Sequence, residues 1–206
     1  MRHDHFTNDE ILWNVHTHLQ KTPLEELQSF CNNDRLPWHT LCLNVLGDLS
    51  LGTIIRTSHC LGAKSVIIFG RKKIDNRSMV GSQNYTNIVK ISGINDDLSF
   101  DRDKFFQTLI ERNLCPIFIE TNGIQMDKVN WQEHVDLLHE NKMQPCLIMG
   151  NESVGIPEDF MNNCPIKHAL RVSIPQRGVI RSLNVAVAHG IASWHLINEV
   201  HNWKNC

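Results

Sequence analysis

The 206-residue chain has no charge excess of either sign, no close cysteine pair and no long apolar run. Twenty Lys and Arg against 22 Asp and Glu give a net charge of −2. That excludes a binder whose hold on nucleic acid comes from a basic tail or a large positive surplus. A local basic patch stays open, because charge acts within a Debye length of ~10 Å. The longest apolar stretches, such as Ser65–Phe69 and Cys146–Met149, fall far short of the ~20 residues of a membrane span. Met1–His5 is followed by polar residues without the apolar core of a signal peptide. The seven cysteines are widely spaced and form no Cys-x-x-Cys pair, so neither a zinc ribbon nor a redox dithiol is encoded. Cys42, Cys115 and Cys146 sit inside apolar runs and read as small buried thiols, and the expected compartment is the reducing cytoplasm. Of the 12 histidines, His3-x-His5 and His16-x-His18 lack carboxylate or thiolate neighbours, so no metal is expected. Neither Gly-x-Gly-x-x-Gly nor a phosphate-cradling Gly-x-x-x-x-Gly-Lys is present, which argues against dinucleotides and nucleoside triphosphates.

What is there is an alternation of strand and helix signals. Residues 1–38 read as a helical extension: Ile11, Leu12, Val15 and Leu19 recur at helical spacing, and Thr22-Pro23-Leu24-Glu25 has the form of a capping box. Asn32-Asn33-Asp34 and Pro37 close it. From residue 39 to 206 the pattern predicts one domain. Its strands fall near Leu41–Leu46, Ser65–Phe69, Ile88–Ile91, Pro116–Glu120, Cys146–Met149 and Ala169–Ile174. Helices fall at Leu51–Leu61, around Phe105–Ile110, from Asn130 through Leu138, briefly after Pro157, and over Ser182–Val200. This order predicts an α/β fold with a mainly parallel sheet covered by helices on both faces.

Chemistry concentrates in three segments just beyond predicted strands, where ligands gather in open α/β sheets. The first is Asn44–Thr57, with Arg56 on an otherwise apolar helix; it reads either as a phosphate clamp or as a surface arginine paired with Asp48. The second is Met149-Gly150-Asn151-Glu152-Ser153-Val154-Gly155, a carboxylate between two glycines that permit close backbone approach. The third runs from Ile174-Pro175 through Ser182-Leu183-Asn184-Val185. Asn184 at a buried helix start is costly unless its amide is hydrogen-bonded.

Together these segments resemble the SpoU/TrmH family of SPOUT RNA methyltransferases, over roughly residues 40–200. The motifs are Leu51-Gly52-Thr53-Ile54-Ile55-Arg56-Thr57, Gly150–Gly155 and the Ile174–Val185 segment. Val80-Gly81-Ser82-Gln83-Asn84-Tyr85 is also similar to a stretch of tRNA-directed members. The resemblance implies a C-terminal deep trefoil knot, a homodimer, and S-adenosylmethionine as cofactor. It implies methylation of a ribose 2′-hydroxyl on guanosine or another nucleoside, in tRNA or rRNA, with tRNA favoured. By motif position, Met149, Gly150, Gly155, Ile174 and Leu183 are the expected cofactor contacts. Glu152, Ser182 and Asn184 are expected at the reacting centre. Arg56 is expected on the target phosphate, from its own or the opposite subunit, with Asn184 binding ribose or holding the arginine. Arg71, Lys72, Lys73 and Arg77 complete the expected RNA contacts. The chain departs from the family at Ser50, where asparagine is common, at Gln176, and at His189 in a run of small residues.

In the last helix Leu183, Val187, Ile191, Trp194 and Ile197 share a stripe, read as core in preference to a dimer face. Two other functions stay open on the sequence: a catalytically inactive knotted protein binding RNA or a partner, and a small-molecule α/β enzyme using the same loops. Binding of S-adenosylmethionine separates the last from the others, and methyl transfer separates the first two.

Overall fold

A computed structural model describes residues 15–44, 49–71, 77–152 and 154–203. The expected roles of Ile11, Leu12, Asp48, Lys72, Lys73 and Ser153 lie outside the described residues. A 3-10 turn at Thr17–Leu19 leads to α1 (Leu24–Asn33). Pro23, expected inside the first turn, is instead the N-cap and offers no side-chain acceptor, so the expected capping box does not form. β1 (Leu36–Asn44) starts earlier than its apolar run suggested and takes up the last three residues of the expected extension. There follow α2 (Leu49–Cys60), β2 (Ala63–Gly70), β3 (Ile88–Ile91), α3 (Arg102–Glu111) and β4 (Leu114–Gln125). The chain continues through α4 (Trp131–Glu140), β5 (Gln144–Met149), α5 (Glu158–Asn162), β6 (Leu170–Ser173) and α6 (Val185–Glu199).

Short polar side chains start α3 and α4. Asp101 accepts from the backbone N–H of Lys104 at 3.0 Å and Asn130 from that of Glu133 at 3.3 Å, each satisfying a donor that the helix leaves orphaned. The six strands pair in the order β3-β2-β1-β5-β4-β6, all parallel. Strand alternation feeds two cores. Cys42, Val66, Ile68, Leu147 and Met149 face α2, α6 and the Trp131–Val135 side of α4, while Leu41, Leu43, Ile67, Phe69 and Ile148 face α3 and α5. The sheet is therefore covered on both sides, as its nearly continuous apolar strands require. Cys42, Cys115 and Cys146 are buried, and burial pushes their thiols up, Cys115 to about 12.

Sequence order reverses at β1, whose neighbours are β2 on one side and β5 on the other. β4 carries the main irregularity. Its pairing with β6 breaks between Ile119 and Ile124, so residues 120–123 bulge out of the ladder. Gly123 lies so close to β6 that a Cβ there would sit 2.6 Å from the Arg171 carbonyl oxygen.

α6 corrects one expectation. It begins at Val185 with Asn184 as N-cap, not at Ser182, and the middle of its apolar stripe is not core, although Ile197 at its end packs against the core. Val187, Ile191 and Trp194 are 51%, 39% and 61% exposed, while Ala186, His189, Ala192, Ser193 and Leu196 face inward. Small residues on the inner face let the helix lie close to α2. His189 is fully buried there, its Nε2 3.0 Å from Thr40 Oγ1 and 3.2 Å from Ser58 Oγ. Burial lowers its pKa to about 3, so the ring is neutral in the fold.

Candidate functional site

The carboxyl ends of β4, β5 and β6 open into a cavity of about 670 Å³, within the ~300–1,000 Å³ range of small-molecule sites. Its walls come from the β4 bulge, the loop after β5, and the segment joining β6 to α6. Met149, Gly150, Glu152, Gly155, Ile174, Ser182, Leu183 and Asn184 all line it. Two segments separated in the chain by residues 156–173 are thus brought to one site by the sheet.

The loop after β5 is tightly closed. Asn151 and Gly155 exchange backbone hydrogen bonds, N–H of Asn151 to the Gly155 carbonyl at 3.2 Å and the reverse at 2.7 Å. A Cβ at Gly150 would lie 2.8 Å from the Gly155 carbonyl carbon, so only glycine lets the two strands of this loop meet. Gly155 has φ +67°, a conformation costly for a side-chain-bearing residue. Glu120, in the bulge, straps the loop from outside. Its Oε1 accepts from the Ile156 N–H at 3.0 Å and its Oε2 from the Thr121 N–H at 3.3 Å.

Polar side chains converge at the mouth where α2 and α6 begin. Ser50, in the first turn of α2, donates to Glu152 Oε1 at 2.6 Å. Asn184 Nδ2 donates to the same oxygen at 2.7 Å and to Ser50 Oγ at 3.3 Å. The other end of the Asn184 amide caps α6, with Oδ1 accepting from Ala186 N–H at 2.9 Å and Val187 N–H at 3.3 Å. The amide is therefore hydrogen-bonded at both ends, but Asn184 is exposed and not buried as expected, because it stands ahead of the helix at the open mouth. It holds Glu152 rather than Arg56. Across the cavity, Arg171 grips Glu158 with two parallel bonds of 2.9 and 3.2 Å.

The structure does not bring Arg56 to this cluster. It lies six residues after Ser50 on α2, so at 100° per residue the two side chains leave the helix about 120° apart. Arg56 is exposed, alongside exposed Thr53 and Cys60, and makes no hydrogen bond or ion pair among the described residues. Arg71 and Arg77 are exposed and also lie outside the cavity walls. Ser182 lines the cavity but does not start the helix. The 80–85 stretch lies elsewhere. Its 3-10 turn at Ser82–Asn84 precedes β3, and Asn84 and Tyr85 line a second groove of about 870 Å³ at the amino ends of the strands. There Gln28 donates to the Asn84 carbonyl at 2.7 Å and Arg35 to the Tyr85 carbonyl.

Sequence reasoning missed Glu120, Arg171 and Glu158. Only Glu120 left a signal, as a carboxylate closing a predicted apolar strand. Among the described residues no group of three or more His, Cys, Asp and Glu could hold a metal, and no helix is long and apolar enough to cross a membrane.

Comparison with known proteins agrees with this architecture. The family described as SpoU rRNA Methylase matches residues 43–194. An uncharacterised tRNA/rRNA methyltransferase of Mycoplasma genitalium is 27% identical over 190 residues, covering 89% of this chain and 67% of that protein. Among solved structures, the A. aeolicus TrmH/SpoU tRNA modifying enzyme superposes with a TM-score of 0.63 at 19% identity, over 85% of this chain and 81% of the other. The AdoMet complex of the SpoU methyltransferase AviRb from Streptomyces viridochromogenes gives 0.60 at 20%, over 80% of this chain. An AdoMet-bound rRNA methyltransferase from Sinorhizobium meliloti gives 0.62 at 21%, over 82% of it. The chain spans 58% and 59% of those last two proteins.

Proposed function

Because the chain belongs to the SpoU rRNA methylase family, we propose that it is an S-adenosylmethionine-dependent RNA methyltransferase acting on a ribose 2′-hydroxyl. The observation that carries this reading is the convergence of the 149–155 and 174–184 segments on one cavity, with Glu152, Ser50 and Asn184 clustered at its mouth.

The residues fit the cofactor. Gly150 and Gly155 let the loop after β5 fold tightly along one wall of the cavity, and Met149, Ile156, Ile174 and Leu183 add apolar wall for an adenine ring. S-adenosylmethionine, when bound, supplies a methyl group already activated on a sulfonium. The protein has to align the hydroxyl, exclude water and provide for the hydroxyl proton. Arg56 is a poor proton acceptor, since a guanidinium stays charged to pH values above ~12. Its part is to grip the phosphate beside the target ribose.

Since Arg56 stands on an exposed face of α2 outside the cavity, the reading includes a second copy of the chain that supplies it. The exposed Val187, Ile191 and Trp194 of α6 are the surface for that homodimer. The knotted C-terminal topology of the family belongs to the same reading. tRNA is the favoured substrate, on the likeness of residues 80–85 to tRNA-directed members, with rRNA the alternative. Arg71, Lys72, Lys73 and Arg77 would add phosphate contacts.

The test is direct. Calorimetry should show S-adenosylmethionine binding at one site per chain. Labelled methyl should then enter tRNA at an alkali-resistant 2′-O position. No binding would return the chain to the small-molecule class. Binding without transfer into either tRNA or rRNA would make it an inactive relative. Arg56→Ala should retain cofactor binding and lose transfer by about 100-fold or more; near-normal turnover would remove Arg56 from the mechanism.

A further inference from the structure

Three carboxylates line the cavity, and hydrogen bonding distinguishes them. Glu120 has both oxygens engaged by backbone N–H groups of Ile156 and Thr121. Glu158 has both oxygens engaged by Arg171. Glu152 differs, because its two donors, Ser50 Oγ and Asn184 Nδ2, both fall on Oε1. Among the described residues its Oε2 receives no hydrogen bond. Two donors on one oxygen fix the carboxylate's position and leave the second oxygen presented at the cavity mouth.

We propose that Glu152 Oε2 is the acceptor for the ribose 2′-hydroxyl, and that Ser50 is the positioning residue that aims it. The inference rests on the methyltransferase reading above. In the step it serves, a lone pair of the 2′-oxygen forms the new O–CH₃ bond while the S–CH₃ bond breaks and its electron pair stays on sulfur. The 2′-proton passes to Glu152 Oε2. A cationic sulfonium and a carboxylate become a neutral thioether and a neutral carboxylic acid, so charge and atoms balance. The proton leaves late, once the bond to carbon has acidified the hydroxyl, so no strong base is required.

Ser50 suits the role because its hydroxyl bridges the pair. It gives its proton to Glu152 and its lone pair to Asn184, whose other end is fixed as the cap of α6. The cluster thus ties the first turns of two helices to one carboxylate. Ser50 itself is 9% exposed, so its rotamer is held by packing. A serine where family members commonly carry asparagine is, on this geometry, a working substitution rather than a mark of lost activity.

The experiment pairs calorimetry of S-adenosylmethionine binding with single-turnover transfer of labelled methyl into total tRNA and rRNA. Glu152→Gln should bind the cofactor within about threefold of the wild type and slow transfer by about 100-fold or more, the scale of proton-transfer catalysis. Ser50→Ala should slow transfer by about tenfold with cofactor affinity unchanged, and Ser50→Thr, which restores a hydroxyl, should recover most of that loss. In a Glu152→Gln background, Ser50→Ala should add nothing, because the oxygen it aims is gone. Transfer by Glu152→Gln within twofold of the wild type would overturn the proposal. So would cofactor binding weakened more than tenfold, because the free oxygen would then be facing the cofactor's ammonium group. A Ser50→Ala loss that persists undiminished in the Glu152→Gln background would assign Ser50 a structural part only. Failure of the wild type to bind S-adenosylmethionine would instead overturn the underlying reading, and this role with it.

Discussion

At the scale of single residues, the site depends on a few atoms that leave no room for substitution. Gly150 is the clearest. Its missing Cβ is what allows the Gly155 backbone to approach, and a methyl group there would lie 2.8 Å from a carbonyl carbon that cannot move without opening the loop. Gly150→Ala should therefore destabilise the fold by ~1–3 kcal/mol and weaken S-adenosylmethionine binding at least tenfold, both read from thermal shift with and without cofactor. Glu120 is a second lever on the same loop. Removing its carboxylate in Glu120→Ala frees the Ile156 N–H, and the expected outcome is weaker cofactor binding with little change in melting temperature, checked by calorimetry. A large loss of stability with normal affinity would instead make Glu120 a core residue. The motif residues were legible in the sequence because glycine, carboxylate and amide sit together just past apolar strands. Glu120 and the Arg171–Glu158 pair were not, because their partners are 36 and 13 residues away in the chain and only the β4 bulge and β6 bring them together.

At the scale of elements, α6 shows how far a periodic pattern carries. The stripe Val187, Ile191 and Trp194 has the spacing of a buried face, and the sequence expectation assigned it to the core. The fold reverses that assignment. The helix turns its small residues and His189 inward, because Thr40 and Ser58 offer hydrogen-bond partners and α2 lies too near for bulky side chains. The bulky residues are left outside, where burial of a tryptophan against a second copy would contribute ~2–3 kcal/mol. Trp194→Glu should therefore shift the protein from dimer to monomer in light scattering and abolish methyl transfer if Arg56 acts across the interface. Retention of a dimer by this variant would move the interface elsewhere. The strands were easier to read, since a short apolar run fell on each of the six, although β1 and β4 proved longer at their ends.

At the scale of the whole molecule, stability follows from charge, and on the proposed reading so does RNA affinity. His39, His134 and His189 are buried, and desolvation lowers their pKa values to about 4, about 4 and about 3. In the unfolded chain these rings titrate near ~6.5. Between pH 6.5 and about 4 the unfolded state therefore binds more protons than the native state, and stability falls as pH falls. Urea midpoints should drop across that window. His189→Leu should flatten the slope while costing ~1–3 kcal/mol at pH 7 through the stranded Thr40 and Ser58 hydroxyls. An unchanged slope would show that His189 is protonated in the fold. With a net charge of −2, the proposed RNA binding has to come from local arginines and lysines. It should weaken steeply with salt, in proportion to the few phosphates contacted.

The sequence by itself determined the α/β order, the apolar strands and the three polar segments, because hydrophobic periodicity and glycine placement are local properties of the chain. It also carried the family likeness. Only the tertiary structure decided which of those polar residues meet. Parallel pairing of β4, β5 and β6 puts their carboxyl ends side by side, so residues 149–155 and 174–184 share a cavity. The phase of α2 turns Ser50 into the cluster and Arg56 away from it. In a chain without charge excess, what a charge can do is set by where the fold puts it, as Glu152 in the cluster and Arg56 outside it show.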